Sequence, residues 1–192
     1  MEFLGIEKLY ESKFITRYNV RYKTNKGNIK NYEIVSRNNN LTSFEELKNS
    51  PAEAVVLIIH DKSGQKILLN KEFRMAVGDY AYNFPAGLID PGEDYKAAAV
   101  RELWEETGLT LTEVKDVWPQ SFSAVGIMNE KSIVVIGEAE GEFAPSTSDE
   151  EEIEAVWFTK DEMRELLKND QHFAARTQAY CWCWAHTEGF KS

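Results

Sequence analysis

Cysteine is nearly missing from this 192-residue chain: only Cys181 and Cys183 occur. Their spacing is that of neither a zinc knuckle nor a CxxC redox pair, so the two thiols read as side chains of a C-terminal helix. Histidine is also sparse, and His60, His172 and His186 are scattered, with no ligand cluster among them. Basic residues are outnumbered, 22 Lys plus Arg against 32 Asp plus Glu, for a formal net charge of −10. That balance argues against a surface tracking nucleic-acid phosphates. It leaves room for a small anionic substrate, because bound divalent cations reverse the local sign. Long apolar runs are lacking too, and stretches such as Ala54 to Ile59 are far too short to span a bilayer. The start, Met1-Glu2-Phe3-Leu4-Gly5-Ile6-Glu7, is acidic and has no apolar signal core. A cytoplasmic protein without a membrane partner is therefore expected. No internal repeat occurs, and the only biased stretch is the acidic run Asp149 to Glu152. What remains, 43% hydrophobic and 28% charged residues, excludes wholesale disorder and suits a chain long enough to bury a sizeable core.

The first fifty residues read as a small β unit. Tyr18 to Tyr22 alternates, Asn25-Lys26-Gly27-Asn28 is turn chemistry, and Tyr32 to Arg37 alternates again. Leu41 to Lys48 suits a short turn of helix ended by Ser50-Pro51. From Glu53 the texture changes: Ala54 to Ile59 suits a strand buried on both faces, and Lys66 to Phe73 returns after the turn Asp61-Lys62-Ser63-Gly64. A boundary near residue 50 divides the chain into 1–50 and 51–192. Further strands are expected around Val114 to Phe122, Ser132 to Glu138 and Glu154 to Phe158. Helices are expected over Asp161 to Asn169 and His172 to His186, the latter carrying Tyr180, Trp182 and Trp184 for core or dimer packing. The pattern points to an α+β or mixed α/β layered fold.

The best helix spans Tyr95 to Thr107. Asp90 to Asp94 supplies loop and cap residues before it, and Gly108 is placed as its left-handed stop. Glu102, Glu105 and Glu106 fall at i, i+3 and i+4, in one acidic stripe, while Ala97, Val100, Leu103 and Trp104 form the stripe expected to be buried. Like charges at this spacing are unfavourable, and two of the three lie at the dipole end that disfavours anions. A solvated acidic face is one reading. A site for magnesium or manganese is the other, since clustered carboxylate oxygens suit hard cations.

The surrounding residues decide between them. Read from Gly87, the chain has five residues, Glu93, seven residues, then Arg101-Glu102-Leu103-Trp104-Glu105-Glu106-Thr107-Gly108-Leu109. This matches the Nudix box, G-x5-E-x7-R-E-U-x-E-E-x-G-U with U aliphatic, at every specified position. Such a match arises by chance in fewer than about one chain in a million at average residue frequencies. The chain resembles the Nudix hydrolases. The resemblance implies an α/β/α sandwich, a mixed curved sheet between helices, with an N-terminal antiparallel β unit appended.

It also implies magnesium-dependent hydrolysis of a nucleoside diphosphate linked to another moiety, with manganese as an alternative ion. By resemblance Glu102 and Glu106 are the metal ligands, Glu105 joins the acidic cluster, and the backbone carbonyl of Ala86 adds an oxygen. Glu93 and Arg101 fix the loop against the helix, with Arg101 either orienting the glutamates or touching substrate. Phe84 to Glu93 and Glu72-Phe73-Arg74 resemble the corresponding stretches of ADP-ribose pyrophosphatases, where an Arg meets the diphosphate, here Arg74. Tyr32 to Arg37 resembles the segment supplying an aromatic ring for adenine and an Arg for phosphate. Those roles map to Tyr32 and Arg37, against the alternatives of a cross-strand aromatic and a solvated Arg. The same resemblance implies a homodimer with composite sites. It assigns Glu151 as an additional metal ligand, with Asp149 or Glu150 as the base and Glu130 as a competitor.

Two positions depart from the ADP-ribose pattern. Val125 stands where a proline is usual, and Asn83 where Glu often precedes the Pro-Ala-Gly stretch. ADP-ribose, giving AMP and ribose 5-phosphate, is therefore the first substrate expectation. GDP-mannose, another sugar nucleotide or a dinucleotide is the second, and a non-catalytic nucleotide-binding module the third.

Overall fold

A computed structural model describes residues 1–187, and its contacts divide the chain into two units. Met1–Ala54 groups with Gln120–Ser132, and Val55–Pro119 groups with the chain from Ile133 onward.

In the first unit, β1 (Glu2–Glu11), β2 (Thr16–Lys23) and β3 (Ile29–Ser36) form an antiparallel sheet in that order. The turn expected around Gly27 joins β2 to β3, and Gly27 takes the left-handed φ of +85° that its tight loop requires. The strand β1 has no counterpart in the sequence reading. Its register slips at Phe3/Gly5 and again at Lys8/Tyr10, and such bulges erase the period-2 signal. The helix α1 (Phe44–Lys48) opens with a capping box between Ser43 and Glu46. At its far end the buried Lys131 ammonium donates to the carbonyls of Lys48 and Ser50, at 3.0 and 2.7 Å. The Lys48 carbonyl is an orphan acceptor of the kind a helix C-terminus leaves.

The second unit holds most of a seven-stranded sheet of β4 (Ala54–His60), β5 (Lys66–Arg74), β6 (Asp79–Asn83), β7 (Ala86–Leu88), β8 (Thr110–Phe122), β9 (Lys131–Glu140) and β10 (Ile153–Thr159). The main path runs β10-β5-β4-β9-β8, with β6 paired to β5 and β7 to β4. Helices α2 (Tyr95–Thr107), α3 (Lys160–Leu166) and α4 (Ala175–His186) complete it. Alternation along the central strands sends side chains to two cores. Ile58, Ile67, Leu69 and Val134 meet Met163 of α3 and Cys181, Trp184 and Ala185 of α4. Leu57, Ile59, Leu68 and Val135 meet Ala99 and Leu103 of α2. The result is the expected layering of helices on both faces of a sheet. The short strands β6 and β7 were not expected, because Pro85 and the glycines around them mask so brief a pattern.

Cys181 is buried in the core, where burial pushes its thiol up to about 12, so it is held as an inert thiol. Trp184 is likewise core, whereas Trp182 is exposed and stacks on His186.

Candidate active site

The helix that carries the acidic stripe starts and stops as its sequence dictates. Asp94 accepts from the backbone amides of Lys96 and Ala97, at 2.8 and 2.9 Å, and Gly108 ends the helix at φ +77°. The buried face differs from the expected one. Ala98, Ala99, Leu103, Glu106 and Thr107 are buried, while Ala97, Val100 and Trp104 are exposed. The sheet meets α2 on the side of Glu106, so one glutamate is drawn out of the acidic stripe into the protein.

That glutamate is 7% exposed. Its Oε2 accepts from the Asn70 side-chain amide of β5 at 2.8 Å and from the Ala86 backbone N–H of β7 at 3.2 Å. Burial pushes its carboxyl well above the ordinary range, and the charges of Glu102 and Glu72 push the same way.

Arg101 organises the rest. Its Nε and Nη2 donate to the two oxygens of Glu93 at 3.0 and 2.8 Å, a bidentate grip, and its Nη1 donates to Glu102 at 2.7 Å and Glu105 at 3.2 Å. Nη2 also reaches the Leu88 carbonyl at 2.9 Å, tying the helix to the loop that leaves β7. Held by Arg101, Glu93 has its carboxyl pulled down to about 2. Glu102 is half-buried, and desolvation raises it despite the same arginine. Its carboxylate lies against Gly87: a Cβ there would stand 1.9 Å from Glu102 Cδ. The first residue of the motif is glycine because the carboxylate occupies that space.

Two further side chains complete the group, and neither carried an assignment in the sequence reading. Asn70 and Glu72 lie on the face of β5 that continues from Leu68 of the α2 core and ends at Arg74. Glu72 is buried and pairs with Arg74 at 2.9 Å. The available signal was two polar residues on one face of a strand whose preceding residues are wholly apolar. The acidic loop reaches the same strand: the Glu152 backbone carbonyl accepts from the Phe73 backbone N–H at 3.1 Å, and Tyr80 donates to the Glu152 carboxylate. Glu151, one residue earlier, is exposed, yet its charge acts on Glu72, Glu102 and Glu106. Asp149 and Glu150 are also exposed, in the same loop.

Among the described residues no three acidic, histidine or cysteine side chains converge on one point. The donor set nonetheless fits a hard cation. It offers a buried carboxylate under the repulsion of its neighbours, a buried Asn70 Oδ1 that has no partner, and a glycine seat for a second carboxylate.

The NUDIX domain model matches residues 50–182. This chain belongs to the Nudix family. Its Nudix relatives include the NAD-capped RNA hydrolase NudC of Mycobacterium tuberculosis, 32% identical over 136 residues, 69% of this chain and 40% of that protein. The chain thus spans less than half of that relative. An uncharacterized Nudix hydrolase of Schizosaccharomyces pombe is 30% identical over 67% of this chain and 60% of its own length. Mouse ADP-sugar pyrophosphatase is 28% identical over 185 residues, 92% of this chain and 83% of its own. A solved structure described as an ADP compounds hydrolase shares the fold, with a TM-score of 0.69 at 22% identity and 95% coverage of both chains.

The remaining expected site residues of this Nudix chain lie in its first unit. Tyr32 donates its hydroxyl to the Gly126 carbonyl, and its ring lines a cavity of about 690 Å³ with Phe3, Tyr22, Phe44 and Phe122. Asn129, 7% exposed, lines the same cavity with neither amide atom partnered among the described residues. Arg37 pairs with Glu130 at 2.9 Å. Asn83, in the second unit, accepts from the Thr177 hydroxyl at 3.1 Å, and Val125 is 81% exposed.

Proposed function

We propose that the protein is a magnesium-dependent hydrolase of the diphosphate linkage in a nucleoside diphosphate sugar, with ADP-ribose the first substrate. The observation that carries this reading is Glu106: a carboxylate buried against Asn70 and Ala86, under the charge of Glu72, is a costly arrangement unless a cation joins it. Glu102, Glu106, the Ala86 carbonyl and Glu151 are the residues that would hold magnesium, or manganese in its place. Once bound, the ion supplies Lewis-acid stabilisation of the diphosphate oxygens and neutralises developing charge.

The chain's own residues do the rest. Arg101 keeps Glu93, Glu102 and Glu105 in one geometry, so Glu102 is held in place before substrate arrives. Arg74, 46% exposed at its side chain, would leave Glu72 to grip the diphosphate. Asp149 or Glu150 takes the proton of the attacking water. Tyr32 serves as the stacking surface for adenine, and the unpartnered donor and acceptor of Asn129 match the edge a nucleobase offers. Arg37 meets a phosphate on release from Glu130. The first unit also carries the contact of a homodimer, and the cytoplasm is the site of action.

Incubation with ADP-ribose and magnesium should yield AMP and ribose 5-phosphate, resolved by anion-exchange chromatography, and EDTA should abolish it. Absence of both products under magnesium would reject the substrate. Asn83 favours a second reading. Its hydroxyl partner in α4 gives it a packing role in place of the usual Glu, so another sugar nucleotide such as GDP-mannose, or a dinucleotide, remains in the panel. Phosphate release after phosphatase treatment of each reaction separates these.

A further inference from the structure

The face of β5 contains more than the Nudix motif requires. Leu68, Asn70, Glu72 and Arg74 alternate onto one side of the strand, running from the α2 core to solvent. Asn70 Nδ2 fixes this face against Glu106 at 2.8 Å, while Asn70 Oδ1, fully buried, accepts from nothing among the described residues. Two residues on, Glu72 is 6% exposed, and among the described residues its one ion-pair partner is the far more exposed Arg74. Its neighbours across the strand are Ile153 of β10 and Ala81 of β6, neither of which offers a side-chain donor. Its charge is felt by Glu106, and the charge of Glu151 is felt by it.

A structural ion pair is the simplest account, but a buried carboxylate with one half-solvated partner contributes little stability, and an apolar side chain would serve the strand better. We infer that Glu72 is a further carboxylate of the divalent-cation site, with Arg74 as its counter-charge until the cation binds. The inference rests on the proposed metal-dependent reading of the site. Two consequences follow from the pairing. Held by Glu72, a cation would supply the neutralising charge that Arg74 otherwise gives. The freed guanidinium is then available for the diphosphate, so cation binding and substrate capture are coupled through a single salt bridge.

Manganese binding, followed by electron paramagnetic resonance in the absence of nucleotide, tests this without reference to turnover. Glu72→Gln should weaken manganese binding at least about tenfold, the scale on which metal-site partners act. Arg74→Ala should tighten it severalfold at low ionic strength, because a competing cation is removed. Circular dichroism in EDTA checks that each variant is folded. Should Glu72→Gln not fold, the Arg74→Ala titration decides alone, and unchanged affinity there overturns the inference. Glu106→Gln separates the two levels. If it loses manganese while Glu72→Gln binds like the parent, Glu72 is not a ligand and the hydrolase reading stands. If neither variant loses manganese, both fall.

Discussion

Asn70 and Glu106, 36 positions apart, are joined by a buried hydrogen bond of 2.8 Å from amide to carboxylate. It connects the strand face of β5 to the helix face of α2 at the point where the apolar core gives way to the site. Replacing Asn70 by Leu removes the donor while nearly keeping the volume. Turnover with magnesium should fall about ten- to a hundredfold, as for loss of a metal-ligand partner, with the far-ultraviolet spectrum unchanged.

Glu106 makes the metal-free protein sensitive to pH. Its folded carboxyl titrates above its unfolded value, so its stabilising contribution is complete below about pH 4.3 and is lost as pH rises through the folded pKa. Glu106→Gln mimics the protonated form. In EDTA the variant should therefore melt at a higher temperature than the parent near pH 8, and the difference should vanish towards pH 4. The same substitution should cut turnover by orders of magnitude, measured as AMP release.

Gly87 faces Glu102 so closely that a methyl group there must displace the carboxylate, which is the flexible end of a side chain and not backbone. Gly87→Ala should thus leave the thermal midpoint close to that of the parent in EDTA. Activity should fall on the order of a hundredfold, the cost of an ångström-scale misplacement at a reacting centre. A large drop in midpoint with activity retained would contradict this placement.

Arg101 donates to three glutamates and one carbonyl from a single fork. A lysine keeps the charge and loses the fork. Arg101→Lys should lower kcat about ten- to a hundredfold, with KM less affected, because the ligand set loosens while the substrate contacts are left in place. Glu93, held at about 2 by this arginine, should titrate higher in the variant, observable by carbon-13 NMR of its carboxyl.

Much of this arrangement is legible in the sequence. The bounds of α2, Tyr95–Thr107, follow from Asp94 and Gly108, whose capping chemistry is local. The strands β4, β5, β9 and β10 announce themselves by apolar runs of strand length. The exceptions have particular causes. Strand β1 is hidden by two register shifts, and β6 and β7 are too short to show a period. Hydropathy misplaces the buried side of α2, because Val100 and Trp104 are apolar yet exposed, whereas Glu106 is charged yet buried. Burial of a charge overturns any reading that ranks positions by hydropathy.

By itself, the sequence determined the family, the order of most elements and the residues of the acidic helix, since spacing along one chain encodes each of them. Only the tertiary structure decided which glutamate goes inside. It also decided that Asn70 and Glu72 stand with that glutamate, and that the segment Gln120–Ser132 groups with the N-terminal strands. These are meetings of residues distant in the chain, and they are set by how sheet and helix faces pack, which local pattern does not record.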